Sequence, residues 1–247
     1  MKLYGKNTVM ERLRVDPKSI QKIFVEEAYK GTGNIQKKAR QWGVPVYVIG
    51  SSKMLKIARN KNTQGVLADV GEYAYIDYDE LLENALKKRR CLVFLDGLTD
   101  PQNLGAIIRS LACFGKFSVV LPTHDSVSIT ETVLRVASGG DNYVQVSMVA
   151  NLSNAIKKAK DARFNIVGST VIGGEPLDEV KFDFPLGIVI GSEQKGIRER
   201  VQDLLDIKVT IPMAAETLSF NAAHATTVLC YEITKQQKNY KKQQTTS

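Results

Sequence analysis

Three polar blocks in this chain carry the residue types that chemistry needs, and each follows an apolar run. The first, Asp96-Gly-Leu-Thr-Asp-Pro-Gln-Asn103, leads into Leu104 to Gly115, a small and apolar segment broken by one charge, Arg109. The second, Ile188-Val-Ile-Gly-Ser-Glu-Gln-Lys-Gly196, sets Glu193 at the tip of a glycine-bounded turn. The third, Ile211-Pro-Met-Ala-Ala-Glu-Thr-Leu-Ser-Phe-Asn221, places Ser219 and Asn221 just before an apolar helix. A carboxylate, a serine and asparagines from separate stretches could gather around the arginine at one edge of a folded sheet. Each block also has a plainer reading. Arg109 could snorkel to solvent beside its apolar stripe, Glu193 could tip a surface turn, and Ser219 could cap a helix.

Several chemistries fall away. Gly191-Ser-Glu-Gln-Lys-Gly196 begins like a P-loop, but Ile197 stands where its lysine must be and no Ser or Thr follows. No G-x-G-x-x-G follows a strand, so the usual dinucleotide fingerprint is missing. A serine hydrolase would need a G-x-S-x-G elbow. Two histidines and no C-x-x-C motif give no expectation of a metal site.

The surrounding patterns predict α/β architecture. In the first third, helices over 7–14 and 34–42 and from Ser51, with a serine available as N-cap, alternate with strands over 20–25, 45–49 and 64–70. This alternation predicts a small α/β sandwich. Residues 71–78 read as a linker and 79–90 as a charged amphipathic helix. Further strands are expected over 91–96, 117–121, 144–149, 164–170, 186–190 and 207–211. Helices are expected over 103–114, 127–138, 151–162, 197–205 and 219–236. Leu104, Ile107, Ile108, Leu111 and Ala112 mark the buried face of the first of these helices. Strands apolar on both faces predict a parallel sheet, and the three polar blocks lie at strand carboxyl ends, where open α/β sheets bind ligands. The expected domains are 1–75, a linker and helix over 76–90, 91–236, and a disordered basic tail over 237–247.

Charge is uneven. Residues 1–90 hold 18 Lys and Arg against 10 Asp and Glu, residues 91–235 hold 13 against 16, and the remaining tail adds three lysines. A basic first third beside a slightly acidic body suggests a polyanion grip separate from the chemistry. Cys91, Cys113 and Cys230 sit in apolar surroundings and read as buried small hydrophobes of a reducing cytoplasm. No apolar run approaches membrane-spanning length, and Met1-Lys-Leu-Tyr-Gly-Lys lacks a signal-peptide core, so no membrane partner is expected.

Asn-x-Gly-x-x-x-Arg from Asn103, Gly-Ser-Glu-x-x-Gly from Gly191, and Ile-Pro-Met followed by Ser-Phe-Asn, in this order, resemble the SpoU-type RNA 2′-O-ribose methyltransferases of the SPOUT superfamily over about 91–236. Tyr4-Gly-Lys-Asn-Thr-Val and Gln64-Gly-Val resemble that family's ribosomal-protein-L30e-like substrate-binding domain. The two-domain layout is most similar to the branch acting on a guanosine of 23S rRNA. The resemblance implies a trefoil knot near the C-terminus, S-adenosylmethionine as cofactor, RNA as substrate and a homodimer. Carried over by motif, it implies functional roles for Arg109, Asn103, Glu193, Ser219 and Asn221, and cofactor contacts at Gly191, Ile211 and Phe220.

Within that reading, Arg109 makes a poor general base, because a guanidinium stays protonated up to a pH of about 12. It suits the developing alkoxide or an RNA phosphate that accepts the proton. Asn103 would orient the ribose or the arginine, and Glu193 would hold the guanidinium as a fork partner. The chain departs from the family's Ser-Leu-Asn-Val-Ser-Val with Ser219-Phe-Asn-Ala-Ala-His224. Phe220 enlarges a cofactor-facing position, Ala223 removes a hydroxyl, and His224 reads as a partly exposed or interface histidine. The alternatives are a tRNA 2′-O-methyltransferase and a non-catalytic RNA-binding factor that keeps the fold.

Overall fold

The structure is a computed structural model that describes residues 1–59, 62–214 and 218–245. The chain folds into two compact units, Met1–Ala74 with Ile129–Asn142, and Tyr75–Ser128 with Tyr143–Ser247.

The chain begins β1 (Lys2–Tyr4), α1 (Lys6–Val15), β2 (Ile20–Glu26), α2 (Thr32–Arg40), β3 (Val46–Ile49), α3 (Ser51–Ile57) and β4 (Val66–Val70). It continues α4 (Tyr78–Lys88), β5 (Cys91–Asp96), α5 (Pro101–Phe114), β6 (Phe117–Pro122), α6 (Glu131–Ala137), β7 (Gln145–Val149), α7 (Leu152–Asp161) and β8 (Asn165–Ser169). It ends β9 (Glu175–Pro176), β10 (Leu186–Gly191), α8 (Glu199–Gln202), β11 (Ile207–Thr210) and α9 (Ala222–Thr245).

In the first unit the strands order β1-β4-β2-β3, with β4 antiparallel to both neighbours and β3 parallel to β2. Alternation sends Leu3, Ile23 and Val25 to one buried face. On the other, Tyr4, Ile49, Met54, Ala58 and Leu67 cluster, with Phe24 and Ile57 packed against them. The cap before α3 is Gly50, not Ser51; the Ser51 hydroxyl instead donates to the Glu26 carboxylate. β1 is only three residues long, too short for a period-2 signal to stand out.

This unit is finished by residues from much later in the chain. The Thr130 hydroxyl accepts from the Val133 N–H and opens α6. Glu131 then accepts from the Lys2 backbone N–H at 3.0 Å and from the Tyr4 hydroxyl at 3.1 Å. Burial, reinforced by the hydrogen bond and charge of Glu131, pushes the Tyr4 phenol up to about 12. Asp141, its side chain fully buried, is paired with the Arg12 guanidinium, which also donates to Ser19 at 3.2 Å. Burial raises the Asp141 carboxyl above the usual carboxylate range, against the opposing pull of Arg12.

In the second unit one sheet orders β7-β6-β5-β10-β8-β11-β9, every neighbouring pair parallel. Leu92 and Phe94 join Leu81, Ala85, Leu152, Ile156 and Val189 in a core with α4 and α7. Cys91, on the alternate face, feels the thiol of Cys230 on α9; burial first, then that neighbour, pushes the Cys91 pKa well up. α5 and α9 pack on each other, and Ser110 and Thr227 share a 2.8 Å hydroxyl hydrogen bond.

Some boundaries differ from those the patterns predict. α6 starts at Glu131 rather than 127, because Thr130 is extended and its hydroxyl caps the helix through the Val133 N–H. α8 covers only Glu199–Gln202; Asp206, where 197–205 would end, instead accepts the Ile166 N–H as the chain turns into β11. α9 runs to Thr245, where a disordered tail is expected from 237. Gln and Lys are good helix formers, and extending an anchored helix avoids the cost of nucleation. Cys113 is exposed, not buried, because it lies off the α5 stripe. Among the described residues no helix is long and apolar enough to cross a membrane.

Arg12→Ala leaves the Asp141 carboxylate buried without its cation and should lower stability by roughly 3–5 kcal/mol at neutral pH. The deficit should narrow in acid. With a folded-state pKa above the unfolded one, protonation favours the folded state, a gain present at low pH and lost as pH rises through the folded pKa. Urea unfolding of variant and wild type at both pH values measures this; equal stability at neutral pH contradicts it.

Candidate active site

The site is built where β5 and β10 end side by side, with Gly191 in register with Asp96. The chain then reverses through Ser192–Gly196. The Ser192 N–H donates to the Gly196 carbonyl at 3.1 Å, the Gly196 N–H donates back at 2.8 Å, and the Ser192 hydroxyl accepts from the Lys195 N–H at 3.2 Å. Gly191 is required by crowding. A Cβ there would sit 2.2 Å from the Gly196 carbonyl carbon and 2.4 Å from the Ile197 nitrogen. Gly196 has φ +65°, a left-handed value that glycine adopts without strain.

Beyond the turn, Asp96 takes hold of the chain. Its side chain is fully buried and accepts from the Arg198 backbone N–H at 2.8 Å and from Arg198 Nε at 2.6 Å. The patterns place Asp96 in the first block but give Arg198 no role. The two residues lie 102 positions apart, and nothing local distinguishes Asp96 from Asp100, which caps α5 through the Gln102 N–H.

The turn delivers Glu193 to the other two blocks. Its Oε1 accepts from Asn103 Nδ2 at 2.8 Å and from the Ala222 N–H at 3.3 Å. Asn221 Nδ2 approaches Asn103 Oδ1 at 3.4 Å, and Asn221 Oδ1 accepts from the His224 N–H at 2.8 Å. Asn103, Glu193 and Asn221 are thus brought together. Asn221, not Ser219, is the residue that caps α9, and His224 is exposed.

Arg109 is not brought to this group. It lies six residues past Asn103 on α5, which at 3.6 residues per turn carries it about 120° around the helix. It is exposed and, among the described residues, makes no hydrogen bond or ion pair. The Arg109–Glu193 fork that the motif reading implies is therefore not formed; the Asn103 amide and the Ala222 N–H hold that carboxylate instead.

A cavity of about 520 Å³ opens beside the turn, lined among others by Gly191, Glu193, Ile211, Met213, Ser219 and Phe220. All three residues expected to touch a cofactor line it. Pattern reading misses the wall from the end of β8, Ser169 to Gly173, although that segment also lies at a strand carboxyl end and carries glycines. Gln202 and Lys208 complete a polar side, where Lys208 Nζ donates to Gln202 Oε1 at 3.3 Å. Phe220 stays half exposed at the rim. Residues 215–217 of the third block lie outside the described residues.

Residues 90–231 match the SpoU rRNA Methylase family, and residues 2–76 match the family described as RNA 2′-O ribose methyltransferase substrate binding. The chain belongs to the SpoU rRNA methylase family. A SpoU relative from Staphylococcus epidermidis, named for the TrmH family of tRNA/rRNA methyltransferases, is 35% identical over 235 residues, 94% of each chain. Two solved structures share the SpoU fold. One is an AdoMet-bound rRNA methyltransferase from Sinorhizobium meliloti, with TM-score 0.78, 19% identity, and coverage of 95% of this chain and 86% of that one. The other is the SpoU methyltransferase AviRb from Streptomyces viridochromogenes in complex with AdoMet, with TM-score 0.74, 22% identity, and coverage of 96% and 90%.

Gly191→Ala forces a methyl into backbone that flexible side chains cannot relieve, and should destabilise this SpoU domain by roughly 1–3 kcal/mol or more. Thermal unfolding reads the loss; a variant as stable as the wild type would mean that the Ser192–Gly196 turn relaxes freely.

Proposed function

We propose that this chain transfers a methyl group from S-adenosylmethionine to a ribose 2′-hydroxyl of structured RNA, with 23S rRNA as the target. The observation that carries this is the cavity at the ends of β8, β10 and β11, which gathers Gly191, Ile211 and Phe220 around one opening with Glu193 at its edge. The two-part layout, a substrate-binding stretch before a methylase stretch, supports ribosomal RNA, as does the fold shared with the Sinorhizobium meliloti rRNA methyltransferase.

The residues present fit the cofactor. The cavity lies within the range of about 300–1,000 Å³ usual for small-molecule sites. Ile211, Met213 and Phe220 would give apolar surface to an adenine ring, bare backbone at Gly191 would allow close approach, and Thr170, Gln202 and Lys208 would face polar ends. When bound, S-adenosylmethionine supplies an electrophilic methyl on a sulfonium.

The chain supplies positioning. Asn103 is held at both ends of its amide, by Glu193 and Asn221, so it fixes Glu193 at the cavity's edge rather than acting as a mobile ligand. Arg109, on the exposed side of α5, meets the RNA rather than Glu193. Its fixed positive charge stabilises the 2′-oxygen as its proton leaves, or holds a backbone phosphate that takes that proton. Most of the rate comes from setting hydroxyl and methyl in line.

We further infer a cytoplasmic homodimer. Tyr231, 62% exposed on α9, and exposed Cys113 on α5 are side chains that a second copy would cover. Light scattering should then read twice the 27.4 kDa chain mass; a monomer contradicts it.

Labelled S-adenosylmethionine incubated with rRNA should leave label on ribose. Arg109→Ala should cut transfer by roughly a hundredfold or more while calorimetric cofactor binding stays intact. Equal activity in that variant would remove Arg109 from the mechanism. Label on tRNA and none on rRNA would reassign the substrate. A wild type that binds no S-adenosylmethionine would favour a non-catalytic RNA-binding factor.

A further inference from the structure

The first unit carries an aromatic and cationic patch that the methyl-transfer site does not use. β3 is the edge strand of its sheet, with β2 on one side and, among the described residues, no strand on the other. Phe24 and Tyr47 are direct partners in the β2–β3 register, and their rings lie 5.8 Å apart at 30°. Phe24 is anchored in the cluster of Tyr4, Met54 and Leu67, whereas Tyr47 is 50% exposed. The Lys22 ammonium sits over the Phe24 ring at 5.7 Å and keeps 43% of its side chain in solvent.

A half-exposed tyrosine wastes apolar area in water unless something covers it. The backing of Tyr47 by the partly buried Phe24 ring makes it a rigid flat surface, so little side-chain freedom is lost when a ligand lands on it. The charge around it is positive. Lys2 and Lys22 share the Asp69 carboxylate, at 2.6 and 3.4 Å, so that acid is already neutralised. Glu26 accepts from the Ser51 hydroxyl and keeps its negative charge, but α3, packed on β2, adds Lys53 and Lys56 in solvent, so cations still outnumber acids here. A flat π-face with cations beside it matches a ligand that alternates flat rings with phosphates, namely single-stranded nucleic acid.

We propose that Tyr47, backed by Phe24 and flanked by Lys22, is a stacking platform for an unpaired base of the substrate RNA. The inference rests on RNA being the substrate and deepens it. The first unit would recognise an unstacked nucleotide, not only phosphate charge.

The test uses the full-length protein and fluorescence anisotropy with labelled oligoadenylate, beside an RNA duplex of the same length. Tyr47→Ala should weaken single-strand binding roughly 5- to 150-fold and leave duplex binding at the wild-type level, while Tyr47→Phe retains both. Lys22→Gln should lower the salt dependence of single-strand binding by about 0.7 in the log–log slope. Unchanged single-strand binding by Tyr47→Ala, an equal loss on both RNAs, or no wild-type binding of oligoadenylate overturns the platform. A shift in the oligomeric mass of Tyr47→Ala with RNA binding intact assigns the face to a second copy and also overturns it. Wild-type methyl transfer, scored separately, keeps the two conclusions apart. Transfer with an indifferent Tyr47 sinks the platform alone, and tyrosine-dependent binding without transfer sinks the reaction alone.

Discussion

The edge of the second unit that carries the candidate site depends on one buried carboxylate. Asp96 ends β5 with no solvent on its side chain, and a carboxylate so placed must be paired. Arg198 supplies both a backbone N–H and its guanidinium. One end of the Ser192–Gly196 turn is already fixed by the sheet, through the pairing of Gly191 with Asp96. The same aspartate therefore fixes the other end. Glu193 has little freedom left, and it meets Asn103 from α5 and the first N–H of α9. Because 47% of the Arg198 side chain stays in solvent, the pair avoids the full desolvation cost of a wholly buried one.

The sheets of the two units differ in a way that matches their tasks. An all-parallel sheet buried on both faces makes a rigid floor, and its open strand ends and the loops beyond them are left to build a cavity. The mixed sheet of the first unit has a bare edge, and there Tyr47 and Val48 come to the surface. The excess of lysine and arginine falls in this first part of the chain and the excess of acid in the second. The net positive charge and the candidate site thus fall in different parts of the chain.

The parallel sheet was legible because its strands are apolar on both faces and regularly interrupted by helices. The turn at Gly191 was legible because glycine, serine, glutamate and glycine are informative at short range. What sequence pattern could not supply was direction. Arg109 and Asn103 share a helix and a motif, yet their side chains diverge by about a third of a turn. The family resemblance implies a fork with Glu193 that the structure does not make. Likewise Ser219 and Asn221 both offer cap chemistry, and only the backbone path selects Asn221. Long-range partners such as Asp96 with Arg198 leave no periodic trace at all.

The helix Glu131–Ala137 and the turn after it sit among residues of the methylase stretch but complete the unit that begins at Met1. During synthesis the first 75 residues emerge without Glu131 and Asp141, which tie down Lys2, Tyr4 and Arg12. The leading unit is therefore completed only by residues that follow β5, α5 and β6 in the chain. The order in which this chain is written is not the order in which its parts are finished.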